Sequence, residues 1–345
     1  MQNILVIVPT YKMNNVSDYI QATLDAILKQ NVNEANIDLV VVDTLSSAVF
    51  RTNLSKWLLS CKVSLNFNGT IRIFGYNEPL PVFNAFNLAI YICKKNKDYN
   101  FVLYCADDVI LTKSDDLSVI LNTFKDSQAC LVSARVDHDN VGHYFHYDLD
   151  EPYPLKIAIG ENVNLHCMAF SEDYLNKYDY KYIDVISGWG SESMLPFVCA
   201  AIEKDWVICN KVKLYHSHQR KLKEKVRGPT SLNYCTYKGI KTYKEVLEPG
   251  VSVGIGFETF RANPLYIPGI QASVNKYHAK CKRKGKPINP NWCLPDFWCD
   301  YDKSCYDENG RSKTPEKLYE YIKEYLFLPK NIFNYEQESL KVDII

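Results

Sequence analysis

The chain has 345 residues, 47% of them apolar, and its 40 basic and 40 acidic side chains cancel to a formal net charge of zero. That apolar share fills a packed core and excludes general disorder, and the charge balance excludes bulk attraction to nucleic acid or an anionic membrane. The first hydrophobic run ends at Pro9, too short for a signal-peptide core, and no stretch approaches the roughly 20 apolar residues of a membrane span. The expectation is a soluble, cytoplasmic protein with no membrane span, its cysteines kept as reduced thiols.

In chain order, Ile4 to Val8 is a continuous β-branched and leucine run, the pattern of a strand buried on both faces of a parallel sheet. Pro9, Thr10 and Tyr11 end it. Ser17 or Asp18 can cap a helix that carries Ile20, Leu24, Ile27 and Leu28 at helical spacing. Leu39 to Val42 predicts a second buried strand ending at Asp43, and Ile71 to Phe74 a third. Val82 to Lys94 predicts an apolar-rich helix, with Phe101 to Cys105 as the next strand. Strand–helix alternation of this kind predicts a doubly wound α/β sheet whose ligands bind at the carboxyl ends of the strands. Pro9–Tyr11, Asp43 and Asp107–Asp108 each follow a strand directly, so topology sets them on one sheet edge.

Further strands are expected at Cys130–Val136, His166–Phe170 and Trp206–Cys209, with a helix near Ser191 to Glu203. After about residue 228 glycine, proline and lysine become frequent, and "KCKRKGKPINPNW" reads as an exposed loop. A last helix is expected from Pro315 to Leu326, capped by Thr314. The division that follows is a catalytic and nucleotide-binding domain over 1–227 and a C-terminal extension over 228–345, which would set acceptor choice or oligomerisation. His278, Cys281, Cys293, Cys299 and Cys305 could supply soft ligands to zinc, but their spacing is irregular and no close Cys-x-x-Cys pair is present.

The stretch "YNFVLYCADDVILT" runs a core strand into two adjacent acids. Adjacent aspartates commonly make a turn or cap the next helix. They can equally hold a divalent cation, since Mg²⁺ and Mn²⁺ take carboxylate oxygens and share themselves with nucleotide phosphates. Two histidines in "YHSHQRK", His216 and His218, fall on one face if that segment is a strand. Imidazole suits Mn²⁺, although one surface and one core histidine is the plainer reading.

Taken together, "VIVPTY", then "VVVD", then "FNAFNLAIYICKKNKDYNFVLYCADDVIL", followed by "SGWGSESML" and "YHSHQRK", resemble the inverting GT-A glycosyltransferases of family 2. The "GWGSE" segment is also similar to the Gly-Trp-Gly-x-Glu-Asp of related galactosyltransferases. The resemblance implies a GT-A type doubly wound mixed sheet with helices on both faces. It implies a nucleotide diphosphate sugar as donor, UDP-linked by first expectation, Mn²⁺ or Mg²⁺ as cofactor, and an acceptor hydroxyl of unidentified class. Pro9, Thr10 and Tyr11 would line the nucleotide pocket, with Tyr11 beside the base, and Asp43 would accept a hydrogen bond from the base. Asn84 would flank the ribose and sugar, while Asp107, Asp108, Trp189 and Gly190 complete the donor site.

Two positions depart from the family pattern. Where an Asp-x-Asp is usual the chain has Cys105-Ala106-Asp107, and Ser193 stands where a base aspartate is usual. Cys105 is a poor hard ligand, so Asp107 is the expected metal ligand, with His216 or His218. Glu192 is then the expected general base, or, more plainly, a first-turn acid of the following helix. The departures leave a catalytically inactive nucleotide- or glycan-binding module as a rival. A nucleotidyltransferase is a second rival, disfavoured because "VPTYKMNN" contains no glycine to cradle phosphates.

Overall fold

The structure, a computed structural model, describes residues 2–11, 13–16, 18–76, 82–137, 155–156, 166–180, 195, 198–217, 316, 319 and 340–345. The first half alternates as expected: β1 (Gln2–Tyr11), α1 (Asp18–Leu28), β2 (Ala35–Thr44), α2 (Ala48–Ser64), β3 (Ile71–Tyr76), α3 (Val82–Lys94) and β4 (Phe101–Cys105). It continues through β5 (Val109–Ile110), α4 (Asp116–Asp126), β6 (Ala129–Asp137), β7 (Leu155–Lys156), β8 (Cys167–Ser171), α5 (Glu172–Lys177), β9 (Asp205–His216) and β10 (Leu340–Ile344). Residues 195 and 198–200 are helical, within the helix expected near Ser191 to Glu203.

One sheet runs in the order β10-β3-β2-β1-β4-β8-β6-β9-β5, with β7 on the flank of β9. Strands β3, β2, β1 and β4 are parallel neighbours, β8 is antiparallel to both β4 and β6, and β9 is parallel to β6. The sheet is therefore mixed. The chain moves outward from β1 to β3 and then returns through α3 to β4 on the other side of β1, which makes the gap between β1 and β4 a topological switch point.

Residue parity explains the layers. Ile4, Val6 and Val8 share one apolar cluster with Ile20, Leu24 and Ile27 of α1, Phe50, Leu54 and Leu58 of α2, and Leu117 and Ile120 of α4. On the opposite face Phe86 of α3 packs edge-on against Tyr104, centroids 5.9 Å apart, and 5.2 Å from Phe170. Helices thus cover both faces, and β1, β2 and β4 are buried throughout their cores, as their unbroken apolar runs require. Ser47 caps α2 by accepting from Phe50 N at 3.0 Å. Of the two expected caps for α1, Ser17 lies outside the described residues and Asp18 is the first helical residue.

Three features differ from expectation. The strand expected at Trp206–Cys209 continues to His216, with alternating burial over its second half. The chain's last strand, β10, expected to lie in a C-terminal extension, pairs antiparallel with β3 of the expected first domain. Tyr319, inside the expected last helix, also reaches that domain, its hydroxyl donating to Lys177 O at 2.9 Å. The candidate zinc residues lie outside the described residues. All seven described cysteines are thiols, as expected; Cys93, Cys105, Cys130, Cys167, Cys199 and Cys209 are buried and Cys61 is half-buried, which suits them as small core residues. Among the described residues no helix is long and apolar enough to cross a membrane.

Candidate active site at the switch point

Parallel register brings the ends of the first three strands level: Thr10 pairs with Asp43 and Asp43 with Gly75. The carboxyl ends of β4 and β9 lie on the same edge, because β8 runs antiparallel between β4 and β6 while β9 follows β6. The antiparallel direction of β8 also brings its beginning, His166 and Cys167, to that edge, where Cys167 pairs with Cys105.

Asp107 and Asp108 occupy the two middle positions of a turn closed by Val109 N donating to Ala106 O at 3.2 Å. The turn reading is thus correct as local structure, but it leaves both carboxylates committed elsewhere. Thr10 Oγ1 donates to Asp107 Oδ2 at 2.9 Å, bridging β1 and β4 across the switch point. Thr23 of α1 donates to the Asp107 carbonyl at 3.1 Å and fixes the turn from above. Asp107 is 4% exposed. Asp108 points the other way: its Oδ2 lies 3.2 Å from His216 Nε2. His216 pairs with Val109 in the β5–β9 ladder, and Ser217 N donates to Asp108 O at 2.7 Å, so the backbone fixes this approach at two points. The carboxylate that meets the histidine is therefore that of Asp108, whereas the expectation was Asp107. The physical reason is the turn, which sends successive side chains in different directions.

Cys105 gives this tip no hard ligand, although its thiol donates to Ala106 O at 3.6 Å and to Val109 O at 3.8 Å, both in the turn. Its side chain belongs to the apolar cluster under the sheet, and the neighbouring Cys167 thiol together with burial holds its thiol well above the ordinary range. It is wall, as the hard-ligand argument requires.

Asp43 is fully buried. The Ser46 hydroxyl and the Arg51 guanidinium are its polar neighbours, with Arg51 Nε 3.7 Å from Oδ2. Burial pushes the Asp43 carboxyl up to about 6, against the opposing pull of the nearby Ser46 hydroxyl and the Arg51 guanidinium. Arg51 reaches Asp43 by lying across Gly75, where an added Cβ would come within 2.6 Å of Arg51 Nη1. Just beyond, Leu45 has a φ of 61°, a left-handed kink that turns the chain so that Ser46 Oγ accepts from Met13 N at 2.7 Å and Ser47 N donates to Met13 O at 3.0 Å. The segments after β1 and β2 are thereby tied together beside Asp43.

Pro9, Thr10 and Tyr11 are buried at the end of β1, with Tyr11 only 8% exposed. Asn84 lies in the first turn of α3, and its side chain is outside what the structure describes. Trp189, Gly190, Glu192 and His218 lie outside the described residues. The structure thus brings together Thr10, Asp107, Asp108 and His216, with Asp43 level on the next strand. Sequence reasoning missed Thr23, Arg51 and His166. The ring of His166 stacks on His216 with centroids 4.3 Å apart and planes 24° from parallel; its only sequence signal is a polar residue opening an apolar strand.

A cation fits this arrangement. Two cis ligands of an octahedral Mg²⁺- or Mn²⁺-sized ion stand about 3 Å apart, and Asp108 Oδ2 and His216 Nε2 are separated by 3.2 Å. Among the described residues no group of three or more His, Cys, Asp or Glu side chains converges, so an ion held by Asp108 and His216 would need phosphate and water to complete its shell.

The fold is similar to Staphylococcus aureus TarS, at 15% identity over 79% of this chain and 49% of that one, with a TM-score of 0.46. This chain therefore spans about half the length of that protein. It is also similar to TarS 1–349 in complex with UDP-GlcNAc (14% identity, 84% and 93% of the two chains, TM-score 0.49). A third likeness is to the mannosyltransferase PcManGT from Pyrobaculum calidifontis in complex with GDP-Man and Mn²⁺ (15% identity, 92% and 84%, TM-score 0.45). Comparison with curated proteins gave no match. The model for glycosyl transferase family 2 matches residues 5–207, more than half of the chain and the whole span from β1 into β9, and the chain belongs to that family.

Proposed function

We propose that the chain is a metal-dependent, inverting glycosyltransferase that moves a sugar from a nucleotide diphosphate sugar, UDP-linked by first choice, to an acceptor hydroxyl. Family membership supports the reaction class. The observation that carries the rest is the convergence of Asp108 and His216 at the switch point, next to an Asp107 already engaged by Thr10. Asp108 and His216 would hold Mn²⁺ or Mg²⁺, and the cation, when bound, offsets the charge that develops on the departing diphosphate. Asp107 holds β1 to β4 through Thr10 and so keeps the pocket floor in place. Asp43, buried and level with Thr10, supplies an acceptor for a base N–H when ionised.

In the displacement the acceptor oxygen forms the new bond to the anomeric carbon as the bond from that carbon to the diphosphate oxygen breaks. The acceptor's proton goes to a general base, for which Glu192 is our candidate, with Trp189 and Gly190 as the wall against the sugar. His218 remains a candidate for orienting the diphosphate, and residues 228–345 for acceptor choice.

The test is thermal stabilisation by UDP and UDP-sugars with and without Mn²⁺, combined with release of UDP from the sugar. UDP should stabilise the wild type more strongly with Mn²⁺ present than without it. Asp108→Ala should lose that difference, while Asp107→Ala should lower the melting temperature without metal, through loss of a buried hydrogen bond to a charged group worth about 1.5–3 kcal/mol. Metal-dependent UDP binding that survives Asp108→Ala would sink the metal assignment, and binding without sugar transfer or hydrolysis would point to the inactive module.

A further inference from the structure

We propose that His166 is a positioning residue for the cation site: its ring, stacked on His216, holds the His216 imidazole so that Nε2 faces Asp108. The inference rests on the reading of Asp108 and His216 as cation ligands. Its geometry is independent of that reading. His166 and His216 sit beside strands that are not neighbours: His166 immediately precedes β8 and His216 ends β9, with β6 between those strands in the sheet. Yet the rings meet nearly parallel at 4.3 Å.

Both backbones are fixed at this point. The His166 carbonyl accepts from Ala106 N at 2.8 Å, one residue before the acid pair, and the next residue, Cys167, pairs with Cys105. His216 is held by its pairing with Val109 and by the following Ser217 N–Asp108 O bond at 2.7 Å. The Ala106–Val109 turn is therefore clamped between the two histidine backbones, and the two side chains close the clamp. An imidazole at a strand terminus has free rotation about χ2 unless a neighbour fixes it. A flat ring stacked on one face removes that freedom, so the cation meets a preset donor. Groups that orient a metal ligand without touching the metal commonly contribute 10–100-fold to affinity.

The experiment measures the Mn²⁺ concentration that gives half of the UDP-dependent stabilisation, and the Mn²⁺ affinity of the full chain with UDP by electron paramagnetic resonance of free Mn²⁺. His166→Ala should raise both midpoints roughly tenfold. His166→Phe keeps a flat ring in the stack but cannot ligate, and it should bring both midpoints back to within about twofold of wild type. His216→Ala is the reference for loss of a ligand. Melting temperatures without metal or nucleotide identify a variant that merely folds poorly. If the wild type shows no Mn²⁺-dependent UDP binding, the cation reading itself fails. If the wild type and His216→Ala differ as expected but His166→Ala matches wild type, the positioning role fails alone. If His166→Phe behaves like His166→Ala, the imidazole itself is required and stacking is the wrong account.

Discussion

Asp43 shows how one buried side chain couples stability to ligand binding. Its carboxyl is pushed up to about 6 in the folded chain, from a value of 3.8 when unperturbed. Between these values the folded state holds more protons than the unfolded state, so this group's contribution to stability falls as pH rises from about 4 to about 6 and stays low above. A shift of about 2 units corresponds to roughly 3 kcal/mol. Asp43→Asn removes the titration, so the variant should gain stability relative to wild type as pH rises from 4 to 7, with the two closest at pH 4. Melting curves of both proteins from pH 4 to 8 check this, and a wild type–variant difference independent of pH would show that Asp43 does not titrate in that window. The cost is understandable at a binding site: Ser46 and Arg51 offset only part of the burial of the Asp43 carboxylate, so its ionised form gains from a further donor, such as a base N–H.

At the scale of elements, the connection from α2 into β3 shows how closely neighbouring backbones are set. A Cβ added at Gly69 would lie 1.6 Å from the Ile37 carbonyl oxygen of β2. That atom is backbone in a central strand and cannot swing aside. Thr70 N also donates to Asp38 Oδ1 at 2.9 Å, and Leu39 N to Thr70 O at 2.9 Å, so the residue after the glycine is pinned to β2 through both its N–H and its carbonyl. Gly69→Ala should therefore move β3 off β2 at a cost of about 2–4 kcal/mol, the range of large steric and strain effects. Chemical denaturation reads this directly, and a loss under about 0.5 kcal/mol, ordinary for a surface change, would show that the connection relaxes freely.

Much at this scale is legible without coordinates. Ile4–Val8, Leu39–Val42 and Phe101–Cys105 are apolar without interruption because both sheet faces are covered, and α3 carries Phe86, Leu88 and Ala89 at helical spacing. The second half of β9 is harder to read. "NKVKLYH" alternates exposed and buried residues, so its apolar run ends at Cys209 although the strand continues. β10 is harder still. Five residues with exposed Val342 and Ile344 carry no local sign of the edge they join, since that edge is set by β3, more than 260 positions earlier in the numbering (Val342 pairs with Phe74). In the site the residue types could be anticipated but not their pairing. The aspartates of "ADD" are equivalent as a string, and the turn alone decides that Asp107 meets Thr10 and Asp108 meets His216.

Over the whole molecule, the formal net charge of zero means that no broad positive field draws in an anionic donor. Among the described residues the switch point carries Asp107 and Asp108, whose ionised carboxylates repel a diphosphate at close range. His216 Nε2 stands 3.2 Å from Asp108 Oδ2. A nucleotide diphosphate should therefore bind weakly alone, and a divalent cation should bind weakly to two protein donors alone. Each supplies what the other lacks: the cation offsets the repulsion, and the phosphate oxygens complete the cation's shell. The two affinities must then be linked, and linkage is reciprocal: the factor by which Mn²⁺ tightens UDP equals the factor by which UDP tightens Mn²⁺. We expect that factor to be at least about tenfold, a coupling of roughly 1.4 kcal/mol. It should shrink toward one in Asp108→Ala and persist in Asp107→Asn, where Thr10 keeps an oxygen to bond. Titration calorimetry of UDP at saturating and zero Mn²⁺, and of Mn²⁺ at saturating and zero UDP, measures both arms. Coupling near one in the wild type would mean that cation and nucleotide do not share this tip.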